Sequence, residues 1–138
     1  MYNTNSIKSH LIYSEEWDLA LKFISERGVR DTGYATNSIG KGHYCYDVDG
    51  NLITEKEEHI KTGAIDAYSF NNIYDMAGNV DEWTMGTRYN SYSKSYRRQI
   101  RGGDLKSNGV EYPAGALDNT YANSEMFVVG FRVALYLK

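Results

Sequence analysis

Residues 72–83 read NIYDMAGNVDEW and place carboxylates, a glycine and aromatic rings within a dozen positions. Asp75, Gly78 and Asn79 favour a turn, because Asp and Asn side chains hydrogen-bond to nearby backbone and glycine adopts positive φ without a steric penalty. Val80 and Trp83 have the branching and bulk that strands favour. We therefore predict a turn that leads into a strand over about residues 80–85. Its carboxylates and free carbonyls are oxygen ligands of the kind that a hard cation prefers.

Length and charge restrict the possible classes of protein. The 138 residues are enough for one domain with a core, 1–138, and the net charge of −3 is mixed along the chain. We expect no nucleic-acid partner, since the one basic run, residues 96–101, is interpreted as a strand with a solvated face. Residues 1–6 lack an apolar run, so we expect neither a signal peptide nor membrane insertion from them. Cys45 is the single cysteine and excludes an internal disulfide.

Tyrosine is unusually frequent, with 13 tyrosines and 13 glycines against one proline. Tyrosine gives a large contact area at little entropic cost, which suits recognition surfaces. It also covers irregular backbone in small domains that are rich in loops. The composition alone leaves both interpretations open.

A helix is predicted over about residues 15–27. Ser14 is a suitable N-cap, negative charge follows in the first turn, and Arg27 and Gly28 are typical of a helix end. The apolar residues repeat at the spacing of one helix face. They are Trp17, Ala20, Leu21 and Ile24. We place Trp17 in the core.

Further along the chain, strands and loops are predicted from alternation and turn residues. Apolar and polar residues alternate on both sides of Asp49-Gly50 in residues 43–53 and predict a hairpin with a type I′ turn. An EF-hand in the same stretch is disfavoured, because Leu52 stands at the position where such a loop needs glycine. Residues 86–95 and 104–126 lack periodicity and are predicted to be exposed loops, with a strand over residues 97–101 between them. At the end of the chain apolar residues alternate with others and predict a strand with one buried face. They are Phe131, Val133, Leu135 and Leu137.

Four blocks in order resemble the formylglycine-generating-enzyme (sulfatase-modifying factor) family. They are residues 14–18 (SEEWD), 72–83, 100–103 (IRGG) and 130–134 (GFRVA). The resemblance implies an α+β fold, formylglycine-generating-enzyme-like and C-type-lectin-like, with a twisted antiparallel sheet, one or two helices and long loops. It also implies that the C-terminal strand pairs near the N-terminal region. A complete family module is longer, so we expect this chain to be the C-terminal part of a polypeptide with an upstream domain.

The resemblance also implies a calcium site in the central turn. By position, Asp75 and Glu82 would supply carboxylates, and Gly78 and Val80 would supply backbone carbonyls. Oxygen ligands of this kind suit calcium. In the alternative interpretation, the two carboxylates cap turn amides and pair with arginines. The candidate partners are Arg101 and Arg132.

The family's oxidase chemistry lacks its ligands here. Family members bind copper(I) through two cysteines, and this chain has Val133 where one of them is expected and no cysteine after Cys45. Asp81 replaces an aromatic residue of the family signature. We therefore assign no catalytic or cofactor-binding residue, apart from the calcium implied above.

The leading hypothesis is a non-catalytic module that displays its two loops to a protein or carbohydrate surface. Such a module would be extracellular or virion-associated, as in phage or prophage proteins and in diversity-generating retroelement variants. The alternatives are an oxidase-family enzyme completed by an upstream domain and a structural component of a virion or surface appendage. The candidate ligand-binding residues are Arg88, Tyr89, Tyr92, Tyr96, Asn108, Tyr112, Asn119 and Tyr121.

Overall fold

The computed structural model describes residues 7–27, 33–123 and 126–137. Within them one α-helix, one 3-10 turn and eight strands form an α+β fold. In chain order they are β1 (Ile7–Leu11), α1 (Ser14–Arg27), the 3-10 turn (Asp66–Tyr68), β2 (Ser69–Phe70), β3 (Ile73–Tyr74), β4 (Asp81–Asn90), β5 (Ser95–Arg101), β6 (Leu117–Thr120), β7 (Val129–Phe131) and β8 (Val133–Leu137). The predicted fold class is confirmed.

Helix α1 has the predicted extent and the predicted apolar face. The stripe residues Trp17, Leu21 and Ile24 are buried, whereas Gly28 lies outside the described residues. The predicted cap is wrong: the Ser14 hydroxyl donates to Gln99 Oε1 at 2.7 Å instead of capping a backbone amide. In the described part of the chain, no helix has the length and apolarity needed to cross a bilayer.

Three sheets are arranged around this helix. The largest has the strand order β6-β5-β4-β7, in which only the β4–β7 pair is parallel. β2 pairs with β3. β1 pairs with β8 in antiparallel register, from Ile7 opposite Leu137 to Leu11 opposite Val133. The C-terminal strand therefore pairs with the N-terminal region, as the family resemblance implied.

The predicted turn around Asp49 and Gly50 is present in a reduced form. A single bridge joins Tyr46 to Leu52 instead of two extended strands. Gly50 has φ of 81°, but Asp49 does not have positive φ, so the turn is not of type I′. The Asp47 carboxylate accepts the Asn51 amide at 2.8 Å and closes the turn as an Asx motif.

The interpretation of residues 86–95 as a loop is wrong. Strand β4 continues to Asn90, a turn follows, and β5 begins at Ser95. A bulge between Trp83 and Thr87 changes the register of β4, which hides the alternation in the sequence. The second predicted loop, residues 104–126, likewise contains β6, which pairs with β5. Residues 86–95 are therefore strand and hairpin turn, whereas residues 104–116 are irregular, as predicted.

The strand predicted at the end of the chain is divided into β7 and β8, and its apolar side chains are exposed. Phe131, Val133 and Leu135 are 71%, 54% and 69% exposed. The intervening Arg132 points inward, because its guanidinium pairs with the buried Glu82 carboxylate. The prediction of a buried apolar face is therefore wrong for Phe131, Val133 and Leu135.

The core lies between α1 and the loops around the sheet. Trp17 is 0% exposed, and its indole Nε1 donates to the Ala114 carbonyl at 2.8 Å. This confirms the core position predicted for Trp17. The cluster consists of Ile12, Trp17, Leu21, Ile24, Tyr34, Tyr44, Phe70, Met76, Ala77 and Ala114.

Candidate functional site

The central turn, residues 75–82, connects three segments that are distant in sequence. Gly78 N donates to the Gly102 carbonyl at 2.9 Å, and Asn79 N donates to the His43 carbonyl at 2.7 Å. The Asn79 side chain both donates to and accepts from the Ile60 backbone, at 3.0 Å each. Gly78 and Asn79 have φ of 70° and 66°, which explains the Gly-Asn pair in the sequence. The turn is therefore hydrogen-bonded to three other segments of the chain.

Both predicted carboxylate ligands lie in this turn and are buried. Glu82 accepts from Arg132 Nε and, at 2.6 Å, from Arg132 Nη2, so both of its oxygens are engaged. Burial raises the pKa of Glu82, and the Arg132 guanidinium opposes that rise. Asp75 Oδ2 accepts the Gly63 amide at 2.7 Å, whereas Asp75 Oδ1 is buried without a partner.

This arrangement tests how well the residues fit a calcium ion. The Gly78 carbonyl accepts the Val80 amide at 2.9 Å, and Glu82 is bound to Arg132, so a cation would compete with existing partners. Asp75 Oδ1 is the carboxylate oxygen of this pair that has no hydrogen-bond partner. The described residues contain no group of three or more His, Cys, Asp or Glu side chains placed to hold a metal. The pairing of Glu82 with Arg132 matches the alternative interpretation, and calcium binding stays a prediction.

Asp81, at the end of this turn where β4 begins, is a third carboxyl group with an unusual environment. Burial raises its pKa to about 7, and the carboxylates of Asp104 and Asp118 add to the rise. Asp104 Oδ1 is itself occupied by the Lys106 and Ser107 amides at 3.0 and 2.9 Å. A carboxyl group that is half protonated near neutrality can either donate or accept a hydrogen bond.

The β4–β5 hairpin brings together most of the candidate ligand-binding residues. Tyr89, Tyr92 and Tyr96 are 52%, 98% and 73% exposed. The rings of Tyr89 and Tyr96 meet edge to face at 5.2 Å. Arg88 is exposed on the same hairpin, and Tyr121 reaches it from the end of β6.

The other three candidates lie outside the hairpin, and two of them have structural partners. Asn108 is buried, and its Oδ1 accepts the amides of Val110 and Glu111 at 3.0 Å each. The Tyr112 carbonyl accepts the Tyr44 hydroxyl at 2.6 Å. Asn119 is half-buried in the β5–β6 ladder. These three candidates therefore lie apart from the hairpin; Asn108 is buried, whereas the Tyr112 side chain is 40% exposed.

Three hairpin residues were missed as candidates by the sequence interpretation. Arg97 donates to the Tyr121 hydroxyl at 3.2 Å, and its guanidinium carbon lies 4.4 Å from the centre of that ring. Ser93 and Ser95 place their hydroxyl oxygens 2.9 Å apart at the hairpin turn. The basic run at residues 96–101 contained the signal, but only the pairing of the strands shows which residues face Arg97.

A cleft of about 410 Å³ lies on another side of the molecule. Its walls include Tyr44, Tyr46 and Tyr68 together with apolar side chains such as Ile53. Asn108 is the one predicted ligand-binding residue that borders it. Rings and apolar side chains in a concave site suit a small apolar ligand.

Cys45, the single thiol, is fully buried and lies 3.8 Å from the Lys56 carbonyl. A copper site of the thiolate type needs a pair of cysteines. One chain of this sequence cannot supply that pair.

Three known structures have a fold similar to that of this chain. CarF matches with a TM-score of 0.67 at 20% identity, over 94% of this chain and 47% of that chain. Variable protein 1 of Treponema denticola matches with a TM-score of 0.64 at 22% identity, over 99% of this chain and 50% of that chain. PvdO from Pseudomonas aeruginosa matches with a TM-score of 0.62 at 23% identity, over 97% of this chain and 54% of that chain. This chain thus spans about half the length of each of these structures.

Among curated proteins, no significant match to the sequence is found. The family comparison is decisive instead: the model of the sulfatase-modifying factor enzyme 1-like domain matches residues 4–137. This range includes the central turn, the hairpin and the C-terminal strand, whose geometry is described above. The chain therefore belongs to the sulfatase-modifying factor enzyme 1-like domain family.

Proposed function

We propose that this domain is a non-catalytic recognition module whose β4–β5 hairpin contacts a macromolecular ligand outside the cell or on a virion. The observation that carries the proposal is the display of Tyr89, Tyr92 and Tyr96 on a hairpin, 52% to 98% exposed. Exposed tyrosines are costly in solubility and are concentrated in binding surfaces. Tyr89 and Tyr96 project from paired strands and Tyr92 from the turn that joins them, which fixes their positions better than a free loop would.

The scaffold beneath the hairpin supports the same role. Strand β4 begins at the central turn and ends at the hairpin tip, so the displayed residues are anchored to the core. One structurally similar protein is named as a variable protein of Treponema denticola. A fold that accepts variable surface residues on a fixed core suits recognition of diverse ligands.

The chemistry of the chain supports binding over oxidation. The family's copper chemistry needs a thiolate pair, and the sequence has Cys45 alone, buried in the core. Without a second thiolate, copper(I) lacks its soft ligands.

The proposal is tested by probing glycan and protein arrays with paired variants. The test variant carries Tyr89→Ser, Tyr92→Ser and Tyr96→Ser. The matched control carries Tyr13→Ser and Tyr74→Ser, two tyrosines that are 45% and 38% exposed in other elements. We expect ligands bound by the wild type and the control to be lost with the hairpin variant. Ligands bound equally by all three proteins would refute a role for the hairpin.

A further inference from the structure

The hairpin is strongly basic, although the chain as a whole is acidic. Residues 84–100 include Arg88, Lys94, Arg97 and Arg98 and contain no Asp or Glu. The whole chain carries a net charge of −3, so its remainder is more acidic still. A concentration of one charge sign on a projecting element produces a local field that attracts the opposite sign.

Two of these arginines face each other directly. Arg88 and Arg97 are cross-strand partners in the β4–β5 ladder, and like charges in that position destabilise a sheet. Neither has an ion-pair partner among the described residues. Arg97 Nε is also buried without a hydrogen-bond partner. An anion bound between the two guanidinium groups would remove the repulsion and supply acceptors.

Hydroxyl groups complete the same face of the hairpin. In the ladder Ser95 pairs with Asn90, two positions along from Arg97 and Arg88, so these residues lie on one face. The Tyr121 hydroxyl accepts from Arg97 at 3.2 Å, and the hydroxyls of Ser93 and Ser95 lie nearby. Hydrogen bonds from Ser93, and after it from Arg97, lower the pKa of Tyr121, which shows that donors surround its oxygen.

We infer that this face, formed by Arg88, Arg97, Ser93, Ser95 and Tyr121, binds side-chain carboxylates of an acidic protein segment. The inference rests on the proposed recognition function and names its ligand chemistry. Guanidinium groups bind carboxylates through paired, charge-assisted hydrogen bonds.

A protein ligand fits this hairpin better than the other polyanions do. The face carries Tyr121, two serines and two arginines, which are side-chain types that antibody paratopes use. Tyrosine and arginine are also the side chains that dominate binding energy at protein interfaces. A nucleic acid is held mainly through many phosphate contacts, whereas residues 84–100 carry four basic side chains.

The direct test measures binding of fluorescent poly-L-glutamate by anisotropy at fixed ionic strength, with alginate and oligo-dT as parallel probes. The test variant is Arg88→Gln with Arg97→Gln. The control, Lys22→Gln with Lys56→Gln, removes the same charge from side chains that are each 67% exposed in other segments. Thermal melting first confirms that each variant is folded.

We expect the arginine variant to weaken poly-L-glutamate binding by roughly tenfold or more, which corresponds to the loss of about one charge-assisted contact. The control should weaken it by less than about twofold. Arg97→Lys should lose part of the affinity, because an ammonium keeps the charge but not the fork geometry or the ring contact.

Three outcomes would overturn the inference. Equal losses of poly-L-glutamate affinity in the two double variants would mean that binding depends on net charge alone. Tighter binding of alginate or oligo-dT than of poly-L-glutamate would assign another ligand class. A wild type that binds no poly-L-glutamate would remove the acidic ligand, whereas the tyrosine-dependent array signals would still decide the proposed function separately.

Discussion

Replacement of Trp17 tests how the core is held together. The side chain is 0% exposed, and its Nε1 donates to the Ala114 carbonyl at 2.8 Å. The Arg132 guanidinium carbon lies 4.9 Å from its ring centre. Trp17→Ala would therefore remove a large buried ring, a hydrogen bond and a cation–π contact together.

The expected loss can be divided with a second variant. Truncating a buried Trp to Ala costs about 3–5 kcal/mol, from lost transfer energy and the cavity that remains. Trp17→Phe keeps most of the ring but leaves the Ala114 carbonyl without its donor, which costs about 1–3 kcal/mol. Leu19→Ala is the control on the same helix, since Leu19 is 63% exposed, and it should cost less than about 0.5 kcal/mol.

Urea unfolding followed by far-UV circular dichroism measures these differences without relying on tryptophan fluorescence. Equal slopes with urea would show that the variants differ in stability alone. A Trp17→Ala loss below about 1 kcal/mol would contradict the buried position. A Trp17→Phe variant as stable as the wild type would refute the role of the indole hydrogen bond.

The central turn gives the remaining predictions. Gly78→Ala, at φ of 70°, places a methyl group against the His43 carbonyl oxygen and should destabilise the domain more than Gly50→Ala, where φ is 81° but nothing lies within 4 Å. Denaturant midpoints compare the two variants, and equal losses of stability would contradict the close approach at Gly78. Arg132→Met should lower the free energy of unfolding by about 3–5 kcal/mol, because it leaves the buried Glu82 carboxylate without its partner. Adding Glu82→Gln should recover part of this loss, whereas purely additive losses of stability would contradict the ion pair. If calcium binds, it should raise the melting temperature by an increment that Asp75→Ala with Glu82→Ala abolishes, whereas identical curves in calcium and chelator would show that this site does not bind it.

The helix and the central turn could be predicted because local chemistry decides them. Trp17, Leu21 and Ile24 repeat at the helical spacing, and all three are buried. Gly78 and Asn79 adopt the positive φ that their side chains tolerate. The family blocks added the pairing of the first and last strands, which no local pattern contains.

The errors arise where distant residues decide the outcome. Arg132, between β7 and β8, pairs with the buried Glu82, whereas the apolar side chains of Val133 and Leu135 are exposed. The bulge between Trp83 and Thr87 conceals a strand that only its partner reveals. Pairing with β4 likewise decides which residues surround Arg97, so the basic face of the hairpin could not be assembled from sequence spacing.

Recognition without oxidase chemistry is tested most directly by incubating the domain with copper(I), oxygen and a cysteine-containing sulfatase peptide. Mass spectrometry of the peptide then measures conversion of its cysteine to formylglycine. Cys45 is buried, and the sequence contains no second cysteine with which it could bind copper(I). We therefore expect no product above a blank that contains the metal alone. Turnover above that blank, lost on replacement of Cys45, would contradict the non-catalytic role.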